Sequence, residues 1–263
     1  MGEAGRQLCA REDVCWLDLS GNAHLVARGL RIEISGRPNA YRERGRPGSV
    51  FAPKSSRVAR CLLVRYPRAL TQRELAREVA LDEGYVSRIV RRLEGERLIV
   101  REKSGAVRPR DPELLLEAWR EVYDFRRHRI LPVHRAARSG DDLVREASSA
   151  LSRLGIPHAA TGLGAAWLHT RFADFRTASF YVRRPPAAGD LRRQGIREET
   201  EAPNLWLVVP KDEGVFWEAH PRDGVPCVHP VQAYLDLKGH PERAPEAALR
   251  LREALLTWRR DGR

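Results

Sequence analysis

Lysine is scarce in a chain that is otherwise strongly basic: only four of its 47 basic residues are lysines (Lys54, Lys103, Lys211, Lys238), and the rest are arginines. A formal charge of +12 favours an anionic partner, nucleic acid ahead of a membrane surface. A GC-rich genome also produces such an arginine skew, so the positions of the charges must decide and not their total. Long apolar runs are lacking too. None approaches the roughly 18–20 residues that a membrane span needs, and "MGEAGRQLCAREDV" has no apolar centre of the secretory kind. The expectation is a cytoplasmic protein with no membrane partner. Cysteine is sparse and scattered (Cys9, Cys15, Cys61, Cys227) without CxxC spacing, which argues against a zinc ribbon and a disulfide framework.

Catalytic constellations are also missing. "TGLGAAWLHT", residues 161–170, lacks the GK[ST] ending and the GxGxxG spacing of phosphate loops. Gly162, Gly164, Ala165 and Ala166 fit close helix packing better. His220, Cys227, His229 and His240 match no standard finger spacing and lie among prolines that suit turns. Asp141 with Asp142 reads as a helix start, and Asp212 with Glu213 as a "PKDEG" turn. No catalytic residue, metal site or cofactor is expected, and the chain is not expected to be an enzyme.

With 42% apolar and 31% charged residues, the 263-residue chain has the composition of a folded globular protein, long enough for two domains. In "VCWLDLSGNAHLVARGLRIEIS" the runs Val14–Leu19, Ala23–Ala27 and Leu30–Ile34, separated by turns, predict a small β-meander. The Arg-, Gly- and Pro-rich "GRPNAYRERGRPGS" follows as a basic strap, whose Arg42, Arg44 and Arg46 suit a minor groove. From Ser55 the period becomes helical, with Val58, Cys61, Leu62 and Leu63 on one face.

"LTQRELAREVALDEGYVSRIVRRLEGERLIV", residues 70–100, carries the next two helices. Thr71 with Glu74 spells a capping box ahead of Leu75, Ala76 and Val79. Asp82 caps a second helix whose Val86, Ile89, Val90 and Leu93 face inward, leaving Tyr85, Ser87, Arg88, Arg91 and Arg92 outside. "RLIVREKSGAVRPRD" then reads as a β-wing bearing Arg101, Lys103, Arg108 and Arg110. This order is that of a winged helix-turn-helix, which lays its second helix in the major groove of double-stranded DNA. Between Gly84 and Arg110 eight basic residues face three acidic ones, an excess suited to neutralising phosphates. The expected DNA-binding residues are Thr71, Gln72, Tyr85, Ser87, Arg88, Arg91, Arg92, Arg101, Lys103 and Arg108, with Arg88 reaching a guanine. A solvated helix face, or a winged helix turned to protein binding, is the competing reading.

"DPELLLEAWREVYDF" predicts an amphipathic helix whose Leu115, Leu116 and Trp119 need a partner surface. That spare face, with the two-fold habit of helix-turn-helix proteins, suggests a homodimer. "HRILPVHRAARSGDD" reads as a connector. Beyond it, helical runs ("DDLVREASSALSRLG", "GLGAAWLHTRF", "VQAYLDL", "PEAALRLREALLTW") alternate with strands ("ASFYV", "NLWLVV", "VFWEA"), giving a mixed α/β domain. The fold class is α+β: residues 1–50 hold the strands and strap, 51–126 the winged helix-turn-helix, and 137–263 the C-terminal domain.

Residues 70–100 resemble the winged helix of MarR-like bacterial regulators. "TGLGAAWLH", "VVPKDEGVFW" and "VHPVQAYLDLKGHPERAPEAALRLRE" are similar to the C-terminal half of the AbiEi family of type IV toxin–antitoxin antitoxins. The resemblance implies a winged-helix domain joined to an antitoxin domain, repression of the chain's own operon, and a cognate toxin of nucleotidyltransferase type whose effect is counteracted without the toxin necessarily being bound. The reading helix would be 83–94 and the antitoxin segment 230–238. In "PVQAYLDL", Val231, Tyr234, Leu235 and Leu237 form an apolar helical face. Gln232 and Asp236, four apart on the opposite side, are the exposed residues expected to serve a partner or antitoxin function. A toxin-neutralising or RNA-contacting protein with a secondary winged helix is the alternative, and a nucleotide-processing enzyme the third reading.

Overall fold

The computed structural model describes residues 3–12, 14–37, 49–172 and 174–258, and divides the chain into two units, Met1–Val122 and Tyr123–Arg263. The strap's Arg42, Arg44 and Arg46 lie outside the described residues.

The first unit opens with a helix absent from the sequence expectation, α1 (Glu3–Arg11), followed by the antiparallel meander β1 (Trp16–Leu17), β2 (Ala23–Ala27) and β3 (Leu30–Ile34). Its register sets Leu17, Ala23 and Ile34, then Leu25 with Ile32 and Ala27 with Leu30, on one sheet face. Next come α2 (Ser56–Arg65), α3 (Gln72–Glu78), α4 (Glu83–Gly95), the wing strands β4 (Ile99–Arg101) and β5 (Val107–Pro109), and α5 (Pro112–Val122). Leu70 and Val107 exchange both backbone hydrogen bonds, so the chain entering α3 adds a third edge to the wing.

The apolar periods bury as their spacing demands. Val58, Cys61, Leu62 and Leu63 of α2, Leu75 and Ala76 of α3, and Val86, Ile89, Val90 and Leu93 of α4 share one core. Both halves of the Thr71–Glu74 capping box form, and the Asp82 carboxylate accepts from the backbone N–H of Tyr85. Thr71→Ala is expected to lower stability by about 1 kcal/mol, seen as a lower urea midpoint at constant slope. An unmoved midpoint would mean that packing of Leu75 alone sets where α3 starts.

The apolar face of α5 is not spare. Leu115, Leu116 and Trp119 are buried within the first unit, the Trp119 ring stacks on Phe51 at 6.1 Å, and the Arg60 guanidinium lies 5.1 Å from the indole. On its other side α5 packs along α1, tied by Arg11 to Asp111 at 2.7 Å. The surface that suggested a homodimer is thus already covered from within the unit.

In the second unit the supposed connector is a strand, β6 (Arg129–Arg135). It is followed by α6 (Gly140–Arg153), β7 (His158–Thr161), α7 (Gly162–Thr170), β8 (Ala178–Val182), α8 (Ala188–Arg193), β9 (Ile196–Glu198), β10 (Leu205–Val209), β11 (His220–Arg222), β12 (Val225–Cys227), α9 (Pro230–Asp236) and α10 (Ala244–Leu255). The seven strands of this unit form one mixed sheet, ordered β11-β12-β7-β8-β10-β6-β9. β8 runs parallel to β10 and β12 to β7, while the other pairs are antiparallel. β7 and β8 are buried at every residue, the pattern of central strands covered on both faces. "VFWEA" does not form the expected strand: Asp212 accepts from the N–H of Gly214 at 2.8 Å and starts a 3-10 turn over Glu213–Phe216.

Candidate nucleic-acid interface

The core face of α4 dictates what its other side offers. With Val86, Ile89, Val90 and Leu93 inward, Arg88 and Arg91 are exposed, and Tyr85, Ser87 and Arg92 are half-exposed. Neither Arg88 nor Arg91 has an ion pair among the described residues. Unpaired cations on the outer face of the second helix have their donors available for phosphate oxygens and guanine edges.

Not every residue expected at DNA has the same freedom. The Thr71 hydroxyl is committed to the capping box, accepting from Glu74 N at 3.2 Å and donating to its carboxylate at 2.9 Å. Those bonds, with Arg68, hold the Glu74 carboxyl below its usual range. Gln72 in the first turn of α3 is half-exposed. Arg101 grips Glu94 of α4 with two bonds, Nε to Oε1 at 2.9 Å and a terminal nitrogen to Oε2 at 2.8 Å, and donates to the carbonyl of Gly105 at 2.9 Å. Its guanidinium therefore clamps the wing turn to α4. Arg108 pairs with Glu102 across the wing at 3.1 Å. Lys103 at the wing tip is exposed and without an ion pair among the described residues.

Lys54 is not among the DNA-binding residues that the sequence leads one to expect. It precedes α2, and the fold sets its ammonium 5.5 Å from the centre of the Tyr85 ring. No spacing or period relates position 54 to position 85, so only the tertiary packing of α2 against α4 reveals it.

The second unit corrects one expectation outright. Gln232 and Asp236 are not exposed: their relative exposures are 1% and 0%. The short helix α9 is packed by α7, α10 and β7, which cover every side of it. A helix in such surroundings carries polar side chains only where neighbours satisfy them. Asp236 is satisfied fully. Its Oδ1 accepts from the hydroxyls of Tyr123 and of Tyr181 (2.9 Å) and from Nε2 of Gln232 (2.7 Å), while its Oδ2 accepts from Thr161. Burial raises the Asp236 carboxyl from 3.8 to about 6 against the pull of these four donors. Burial and the adjacent carboxylate push both tyrosines well above their usual range.

Two histidines extend this network. His128 Nδ1 accepts from the backbone N–H of Lys211 at 3.2 Å, leaving Nε2–H to donate to the Tyr123 oxygen at 3.1 Å. His240 Nδ1 donates to the Asp236 carbonyl and its Nε2 accepts from Ser179, both at 2.8 Å. Burial lowers His240 to about 4, so the ring is neutral. Gln232 and Asp236 thus tie α9 to β7, β8 and the start of the unit rather than presenting themselves to a partner.

The remaining candidates fall where packing explains them. Gly162 and Gly164 are buried in α7, against His240 and Val144. Asp141 pairs with Arg145 at 2.7 Å in the first turn of α6. Cys227 is buried, which raises its thiol to about 12, and no three His, Cys, Asp or Glu side chains among the described residues form a metal-holding group.

A capped reading helix with open cations, clamped to a β-wing, defines a winged helix-turn-helix DNA-binding protein that carries a second, mixed α/β unit. Comparison with protein families agrees: the MarR family model matches residues 56–108. The family described as "Transcriptional regulator, AbiEi antitoxin, Type IV TA system" matches residues 108–257, more than half of the chain, and the chain belongs to that family. No curated protein and no solved structure matches it. The protein is a DNA-binding transcriptional regulator of the antitoxin type, and both matched families are regulator or antitoxin families. No helix among the described residues is long and apolar enough to cross a membrane.

Proposed function

We propose that this protein represses the operon that encodes it, in the cytoplasm and without catalysis. It does so as a homodimer on paired half-sites and counteracts a neighbouring nucleotidyltransferase-type toxin without touching it. Helix α4 enters the major groove. There Arg88 meets a guanine and Ser87 a base edge or phosphate, while Arg91, Arg92, Gln72 and the wing residue Lys103 meet the backbone. Thr71 contributes through its backbone turn, and Arg101 and Arg108 add charge while holding the wing. The observation that carries this reading is the pair Arg88 and Arg91, exposed and without ion pairs on the side of α4 opposite its core.

The test is binding to the DNA upstream of its own gene and to unrelated duplex across a salt series. The Arg88→Ala/Arg91→Ala variant should lose about 100-fold in affinity for the upstream DNA and flatten the salt dependence, with its thermal midpoint unchanged. Equal affinity for both DNAs in the wild type would remove the operator reading and leave the winged helix as a scaffold.

A further inference from the structure

Tyr85 occupies the first turn of α4, yet its hydroxyl is already engaged, 2.9 Å from Ser55 Oγ. Ser55 stands at the N-cap position of α2 with helical backbone angles, and its side chain makes no capping bond. A hydroxyl that usually serves its own helix is thereby left to hold the tyrosine.

Two cations lie against the same ring: Lys54 Nζ at 5.5 Å and Arg88 Cζ at 5.6 Å from its centre. Both distances are within the roughly 6 Å over which an aromatic face attracts a cation. A terminal nitrogen of Arg88 lies 4.0 Å from where a β-carbon on Gly84 would stand. The guanidinium of this exposed side chain is therefore folded back over the first turn of the helix. Neither cation has an ion pair among the described residues. This helix end already holds the carboxylates of Asp82 and Glu83, and neither forms an ion pair with these two cations, whose N–H donors remain available to a DNA phosphate.

We propose that Tyr85 is a positioning residue: anchored by Ser55, it fixes the Arg88 guanidinium for its base, and its ring brings Lys54 to the DNA backbone as a further phosphate contact. This rests on the operator reading above and assigns Lys54 a role in it from outside the helix-turn-helix.

The experiment is a double-mutant cycle read by anisotropy, on upstream DNA and unrelated duplex, from low to moderate salt. Lys54→Ala should lower the slope of log affinity against log salt by about 0.9, equally on both DNAs. Tyr85→Leu should cut the ratio of upstream to unrelated affinity as far as Arg88→Ala does. Combining the two should add less than about a factor of two. Tyr85→Phe, which keeps the ring but removes its bond to Ser55, should lose selectivity to the same extent as Ser55→Ala. If Tyr85→Leu melts early, Ser55→Ala, which releases the ring without removing it, replaces it in the cycle. Additive losses in the double variant, or an unchanged slope in Lys54→Ala, overturn the proposal while leaving selective binding intact. A wild type without selectivity overturns the operator reading itself, before any variant is compared.

Discussion

Asp236→Ala is expected to destabilise the second unit by about 4 kcal/mol, because it strands four donors in a closed interior. The hydroxyls of Tyr123, Tyr181 and Thr161 and the amide of Gln232 all converge on that carboxylate. Asp236→Asn should cost far less near neutral pH, since the amide oxygen still accepts and no charge is buried. The two forms then diverge with pH in a defined direction. Burial raises Asp236 from 3.8 to about 6, so the folded state holds this proton more tightly than the unfolded chain. Its contribution to stability therefore falls as pH rises from about 4 to about 6. His240, lowered from 6.5 to about 4, acts oppositely, its contribution being lost as pH falls through that window. In the wild type the carboxyl partly offsets the histidine. In the asparagine variant that offset is gone, and acid should unfold it more steeply, the gap to the wild type widening by roughly 2 kcal/mol between pH 6 and pH 4. Denaturant midpoints at several pH values would show it, and a pH-independent gap would mean that Asp236 does not titrate in this range.

Gly162→Ala is expected to be as damaging, at about 4 kcal/mol or more, through two separate faults. Gly162 has φ +57°, a left-handed conformation costly to a side chain, and a β-carbon there would stand 2.2 Å from His240 Nε2. The imidazole has no room to yield, bonded at both nitrogens and lying 4.5 Å from the Phe125 ring and 5.3 Å from Trp206. Gly164→Ala is the internal control. Its β-carbon would meet Val144 Cγ2 at 2.7 Å, but its φ is not positive, so only overpacking applies and about 1–3 kcal/mol is expected. Equal thermal midpoints for the two variants would show that backbone conformation at Gly162 contributes nothing beyond crowding.

The winged unit was legible because each local signal agreed with the next. The capping box, the Asp82 cap, the four inward residues of α4 and the Ser104-Gly105 wing turn all specify the same arrangement. The second unit was less so. Pro132 lies inside β6, opposite Trp206, and a residue without an N–H argues against a strand with neighbours on both sides. The hairpin β11–β12 did carry a signal. In "RDGV" Asp223 and Gly224 both take positive φ, 49° and 81°, the turn that an Asp-Gly pair favours, but the nearby histidines and prolines read more loudly. Of the Asp236 network only the Gln232–Asp236 pair, four apart, was visible in sequence, since Tyr123 and Asp236 are 113 positions apart. Helical phase placed Asp236 opposite an apolar face. It had no means of showing that the other side is walled in as well.

The grip of Arg101 on Glu94 and on the Gly105 carbonyl makes the wing an extension of α4 rather than a separate finger. If α4 and the wing dock on DNA as proposed above, two elements held together in this way require the duplex to fit them. DNA whose steps bend easily into that shape is then favoured at positions that no side chain touches. On the proposed function, part of the choice of operator would accordingly reside in the stiffness of the DNA and not in its hydrogen-bonding edges.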